Sequence, residues 1–144
     1  MNEHGFHKLL TLGFQTPKLQ KSDNKDFGFK SALQYLTPAK GSGLMNMCPQ
    51  ASKGCAAACL NTAGRGRYDN VQHARYMRTK LFATNCDAYL RLLIKEIEAF
   101  IKRSHKTKDV PAIRLNGTSD LKWEEIFPGL IDAYPEVQFY DYTN

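Results

Sequence analysis

The chain has 144 residues, 42% of them hydrophobic and 24% charged, a composition that suits one compact domain over residues 1–144 with an ordinary core. Its longest apolar stretches, such as Leu92 to Ile94, are far too short to span a bilayer, and Met1-Asn2-Glu3-His4-Gly5 lacks the basic-then-apolar order of a signal peptide, so a soluble cytoplasmic protein with no membrane contact is expected. The formal net charge of +6 favours an anionic partner, for which nucleic acid, a phosphate-bearing small molecule and an acidic protein are the classes to weigh.

Lys8 to Phe14, KLLTLGF, is a short apolar run that predicts a strand. FGFKSALQYL then sets Phe27, Phe29, Leu33 and Tyr35 at a period of two, which predicts a second strand, and the polar connector QKSDNKD makes the two an antiparallel hairpin. TPAKGSGLMNMCPQ is loop chemistry and leads into a cysteine-containing loop, residues 41–67, inserted between the hairpin and the first long helix. Within it Ser52 is placed to cap a short helix carrying Ala56, Ala57 and Ala58, on which Cys55 and Cys59 share one face. The two glycines of NTAGRGRYDN break the chain before the next element.

From Asn70 to about His105 two helical patterns follow. Val71, Ala74, Met77 and Leu81 form the stripe of the first, and Leu90, Leu93, Ile94, Ile97, Phe100 and Ile101 the wider stripe of the second. Thr84 followed by Asp87 resembles a capping box, so the helices are split there and Cys86 falls in the first turn of the second. VPAIRLNG, Val110 to Gly117, reads as a strand ending in the polar cluster NGTSD; LKWEEIFPGLIDAYP is a short helical segment interrupted by Pro128; VQFYDYTN is a last strand. Helix, strand, helix, strand is the signature of parallel winding, and the fold expected is α/β: an N-terminal β-hairpin followed by β/α units forming a partial barrel or an open, mostly parallel sheet.

Three of the four cysteines, Cys48, Cys55 and Cys59, lie within twelve positions, and Cys86 stands 27 further on. In a reducing compartment such thiols are metal ligands, catalytic groups or core residues rather than disulfides. Structural zinc usually takes two closely spaced pairs, and no second pair is present, so zinc would need Cys86 or His73 as its fourth ligand. Three thiolates from one short segment suit an iron–sulfur cluster better, with Cys86 a fourth candidate ligand; in a four-iron, four-sulfur cubane held by three, one iron stays open to substrate or S-adenosylmethionine. The Cys-x6-Cys-x3-Cys spacing departs, however, from that of the radical enzymes which bind that cofactor. Without a metal, Cys55 and Cys59 would be small core residues, a role that explains Cys48, set between a Gly-Ser loop and Pro49, less well.

Arg65, Arg67, Arg75, Arg78 and Lys80 crowd a stretch whose one acid is Asp69, with Tyr68 and Tyr76 interleaved. The turn and the helix after it can grip phosphates and stack bases; a solvated helix face is the bland alternative. GRGR lacks the Lys-Ser or Lys-Thr ending of a P-loop. At the ends of the last two strands stand Asn116, Ser119 and Asp120, then Asp141, Thr143 and Asn144, on the edge where α/β folds build sites. Arg114 and Asp141 are expected to pair across adjacent strands, and Thr118 or Ser119 with Asp120 to cap the following helix. If the protein is an enzyme, Arg114, Asn116, Asp120 and Asp141 position the substrate.

SGLMNMCPQASKGCAAACLNTAGRGR, ARYMRTKLF, IRLNGTSDLKWE and FYDYTN together resemble, over roughly residues 25 to 144, the phage and bacterial family named after a mycobacteriophage gene product 88. The resemblance implies a phage or prophage origin, a metal or cluster site at Cys48, Cys55 and Cys59, and polar marks at Asp120 and Asp141, but no reaction. Members of that family continue past the FYDYT strand, which leaves this chain to be a shortened member, a fragment, or a subunit completed by a protein partner or a second copy along the open edge of its C-terminal strand. The leading expectation is a small phage-type protein with an iron–sulfur cluster on the cysteine triad and an anionic partner such as nucleic acid. One rival is a zinc-stapled nucleic-acid-binding module without catalysis, and another is a metal-free protein that binds and inhibits a host factor.

Overall fold

The computed structural model describes residues 2–13, 28–38, 40–53 and 67–141. Strands β1 (Leu10–Leu12) and β2 (Phe29–Gln34) precede two long helices, α1 (Asp69–Thr84) and α2 (Cys86–Lys106), after which come β3 (Val110–Arg114), the short helix α3 (Trp123–Ile126) and β4 (Gln138–Phe139). The strands form one open four-stranded sheet in the order β1-β2-β3-β4. β1 runs antiparallel to β2, Leu10 facing Gln34, as a hairpin requires. β2 and β3 are parallel, Phe29 facing Val110 and Leu33 facing Arg114, because the two helices between them carry the chain back across the sheet. α3 returns it a second time, and β4 pairs parallel to β3 with Ile113 facing Phe139. The α/β architecture is therefore the open, mostly parallel form of the expected fold, with the hairpin at its start; the hairpin's connector and Phe27 lie outside the described residues.

The core gathers Leu10, Leu12 and Ala32 from the hairpin, Tyr89, Leu93, Ile97 and Phe100 from α2, and Ile113, Leu115 and Trp123 from the second half. α2 matches its predicted stripe closely, with Leu93, Ile97, Phe100 and Ile101 all buried. β2 does not keep its predicted alternation. Phe29 is 39% exposed while Ser31, Ala32, Leu33 and Gln34 are all buried, because at Ala32 and Leu33 the strand is flanked by both β1 and β3 and lies in the middle of the sheet. Gln34 is tolerated there because both ends of its amide are used: Nε2 donates to the Leu115 carbonyl at 3.1 Å and Oε1 accepts from the Tyr89 hydroxyl.

α1 is also turned from its predicted orientation. The buried line is Arg75, Thr79 and Phe82, with Ala74, Met77 and Leu81 only half-buried at its side. The Arg75 guanidinium lies 5.1 Å from the centre of the Tyr35 ring, and the Thr79 hydroxyl donates to the Arg75 carbonyl and accepts from the Thr37 N–H, each at 2.9 Å. Polar groups on the inward face thus find partners that a hydrophobicity pattern does not register. The helices divide where expected, but Asn85 rather than Thr84 makes the cap: its side chain accepts from Ala88 N–H at 3.2 Å, and the Thr84 hydroxyl donates back to the Lys80 carbonyl at 2.6 Å. Among the described residues no helix is long and apolar enough to cross a membrane.

Candidate functional site

The carboxyl ends of β3 and β4 meet around Asn116, which lies two residues beyond β3 and is 7% exposed. Its Oδ1 accepts from the Ser119 hydroxyl at 2.9 Å, the Leu121 N–H at 3.1 Å and the Trp123 indole N–H at 2.8 Å. Its Nδ2 donates at 2.8 Å to both the Leu121 carbonyl and Asp141 Oδ2. Three donors on one side and two acceptors on the other leave only one orientation for the amide. The other oxygen of Asp141 takes the Arg114 guanidinium at 3.3 Å, so the expected cross-strand pair is present, held at its acid end by Asn116.

Ser119 and Thr118 do not cap α3. The helix has no side-chain cap; Ser119 bonds to Asn116, and the Thr118 hydroxyl reaches the Leu36 carbonyl beyond β2. Gly117 makes that approach feasible: its N–H donates to the Gln34 carbonyl at 2.9 Å, and a Cβ at this position would meet that same carbonyl and come within 2.8 Å of the Tyr35 ring.

The start of the cysteine segment is stitched onto the same strand ends. Asp120 N–H donates to the carbonyl of fully buried Met47 at 3.1 Å, the Cys48 thiol donates to the Thr118 carbonyl at 3.4 Å, and the Asp120 carboxylate accepts from Gln50 N–H at 3.0 Å. Gln50 Nε2 completes the seam on the Asp120 carbonyl at 3.1 Å. Beside it opens a cleft of about 600 Å³, floored by Ile113, Leu115 and Phe139 and rimmed by Asp120, Lys122 and Asp141. An apolar floor with a few convergent polar groups is the usual make-up of a small-ligand site. Trp123 forms one wall and is itself fixed by the aromatic cluster, its ring 5.5 Å from Phe82 and 5.8 Å from Phe127.

Arg114, Asn116, Asp120 and Asp141 are therefore brought together, with Cys48 at their margin. The other predicted ligands are not all within view. Cys55, Cys59 and Arg65 lie outside the described residues, and so do Thr143 and Asn144. Cys86 is exposed at the start of α2, and desolvation there together with neighbouring Asp87 pushes its thiol up. Among the described residues no three His, Cys, Asp or Glu side chains converge as metal ligands. His73 is exposed on α1 and Arg67 just before it.

Arg75 and Arg78 are not the outward phosphate grip expected of them. Arg75 is 8% exposed. Arg78 donates from Nε to the Lys8 carbonyl at 2.7 Å and from a terminal nitrogen to the Tyr35 carbonyl at 3.3 Å, and burial holds its pKa below the usual arginine range. These guanidiniums tie α1 to the hairpin. Two participants of the site escaped the sequence reading, Gln50 and Trp123. The second had a signal: it is the only tryptophan of the chain, and a buried indole N–H requires an acceptor nearby.

These features define a small α/β protein with a candidate site at the carboxyl ends of its parallel strands. The chain matches the family described as Gene product 88 over residues 9–144 and belongs to it, a match that includes the first strand as well as the cysteine and strand-end segments. Comparison with curated proteins gives no match, and neither does comparison with solved structures.

Proposed function

We propose that this phage-type protein holds an iron–sulfur cluster on Cys48, Cys55 and Cys59 at the margin of the strand-end cleft, and acts in the host cytoplasm on an anionic partner. The carrying observation is the seam between the two segments. The Cys48 thiol against Thr118 and the Gln50 amides against Asp120 set the first cysteine beside the polar groups that parallel strands present to ligands. To bind a metal this half-buried thiol would release its proton, give up the Thr118 carbonyl and turn towards the cluster. With three protein thiolates, a cubane cluster would supply one open iron for a ligand in the cleft. Arg114, Asn116, Asp120 and Asp141 would then hold that ligand's polar groups, with Asn116 orienting Asp141 rather than reacting.

Metal analysis and an absorption spectrum on protein purified without oxygen test this directly. Iron and sulfide with a broad band near ~400 nm, both lost in Cys48→Ala and in Cys55→Ala, are the expected result. Loss in Cys86→Ala as well would add that residue to the ligand set. Zinc at about one per chain would replace the cluster by a structural staple, and neither metal in folded protein would overturn the reading.

A further inference from the structure

A second cavity lies far from these groups, between the start of β1 and the last turns of α2. It encloses about 490 Å³, and Lys8, Lys102, Arg103 and Lys106 stand around it, all of them exposed. Among the described residues only one acid lines it, Glu96, and that carboxylate is turned onto the backbone: it accepts from the Leu9 N–H at 2.9 Å and the Leu10 N–H at 3.0 Å. Lys8, Lys102 and Lys106 therefore face a groove whose one acid among the described residues is already engaged.

The helix dipole favours cations in a last turn and accounts for Arg103 and Lys106. It does not account for Lys8, which lines the same groove from the β1 side. A protein strand finds less to pair with at the start of β1, because Glu96 occupies the Leu9 and Leu10 amides. Among the described residues the one aromatic in the lining is Phe100, which is buried, so these residues offer bases no exposed ring to stack on. Three of the four cations are lysines, point charges that suit phosphate oxygens without demanding a fixed fork geometry.

We infer that this groove binds the phosphate backbone of double-stranded nucleic acid without regard to sequence. The inference rests on the anionic-partner part of the proposed function and is independent of its cysteine site. Fluorescence anisotropy with two labelled DNA duplexes of unrelated sequence, over about 50 to 200 mM salt, tests it on the full chain as purified, with metal content recorded on the same sample. Equal affinity for the two is expected, falling linearly in log–log form with salt. Lys102→Ala combined with Lys106→Ala should reduce the slope by about 1.8, two contacts at about 0.9 each, with the thermal unfolding curve unchanged.

Arg91→Ala, an exposed cation of α2 outside the groove lining, should leave the slope as it was. No binding, a slope untouched by the double variant, or equally effective competition by polyglutamate, which would point to an acidic protein, would each overturn the inference. Binding with no metal present would leave it standing while the cysteine site fails.

Discussion

Replacing Asn116 by Asp probes the centre of the site without changing its shape. The three bonds received by Oδ1, from Ser119, Leu121 and Trp123, survive the change. The two donated by Nδ2 do not, and the new oxygen is left 2.8 Å from the Leu121 carbonyl and 2.8 Å from an oxygen of Asp141. The bond to the charged carboxylate is worth about 2 kcal/mol and the one to the carbonyl about 1, so the loss is about 3 kcal/mol before any repulsion between the carboxylates is counted. In a chain of this size that corresponds to a fall in Tm of roughly 10 °C.

The penalty carries a pH signature. Burial and Asp141 would raise the variant carboxyl above its unfolded value. Its protonated form can still donate to Asp141, so the variant recovers stability below the unfolded carboxylate range and loses it as pH rises through the raised folded value. Urea midpoints of the two proteins across about pH 4 to 7 measure this. A variant as stable as the parent at neutral pH would refute the assigned amide orientation, and with it the account of how Asp141 is held.

Gly117→Ala should cost about 2 to 3 kcal/mol in urea unfolding, because the added methyl meets the Gln34 carbonyl and the Tyr35 ring where neither can retreat cheaply; a neutral result would mean that the β2 and β3 ends are looser than described. Tyr89→Phe leaves Gln34 Oε1 without its hydroxyl donor in the core, an expected loss of about 1 to 2 kcal/mol by the same assay, and no loss would dismiss that buried bond. Asn85→Ala removes the α2 cap and should cost about 1 kcal/mol, whereas Thr84→Ala should cost far less; the reverse order would restore Thr84 as the cap. Burial raises the Glu96 carboxyl against the lowering pull of the Leu9 and Leu10 amides. Its stabilising contribution is thus complete below the unfolded glutamate pKa and lost as pH rises through the folded one, so the parent's advantage over Glu96→Gln should narrow from acid towards neutral pH, and a widening difference would reverse the sign assigned here.

Much of the scaffold is legible because local pattern and tertiary demand agree. α2 carries a continuous apolar stripe, and core packing uses it almost residue for residue. The Arg114–Asp141 pair follows from parallel winding, which brings the end of β3 beside the residues just past β4. α1 resists the same treatment. Its inward line contains an arginine and a threonine whose partners, Tyr35 and Thr37, lie some 40 residues earlier in the chain, and no window of sequence contains both sides of that contact. The Asn116 hub is hidden differently. Asn-Gly followed by Ser-Asp looks like a turn or a cap, and it becomes a site only when Trp123 and Asp141 close on it from the next two elements.

Net charge misleads about location for a related reason. The residues from Arg65 to Lys80 form the densest basic stretch in the sequence, yet the two arginines at its helical centre cross-brace α1 with the hairpin through carbonyls and rings. The cations that line the groove come from Lys8 and the end of α2, which are remote in sequence and adjacent only after the hairpin folds onto the helix. The strand-end cleft, by contrast, is rimmed by Asp120 and Asp141, and a polyanion would be repelled there. Opposite charges on separate surfaces mean that a cluster-linked ligand and a nucleic-acid backbone need not compete. If both proposed sites are real, the triad variants should lose metal and keep nucleic-acid binding, and the Lys102, Lys106 pair should do the reverse.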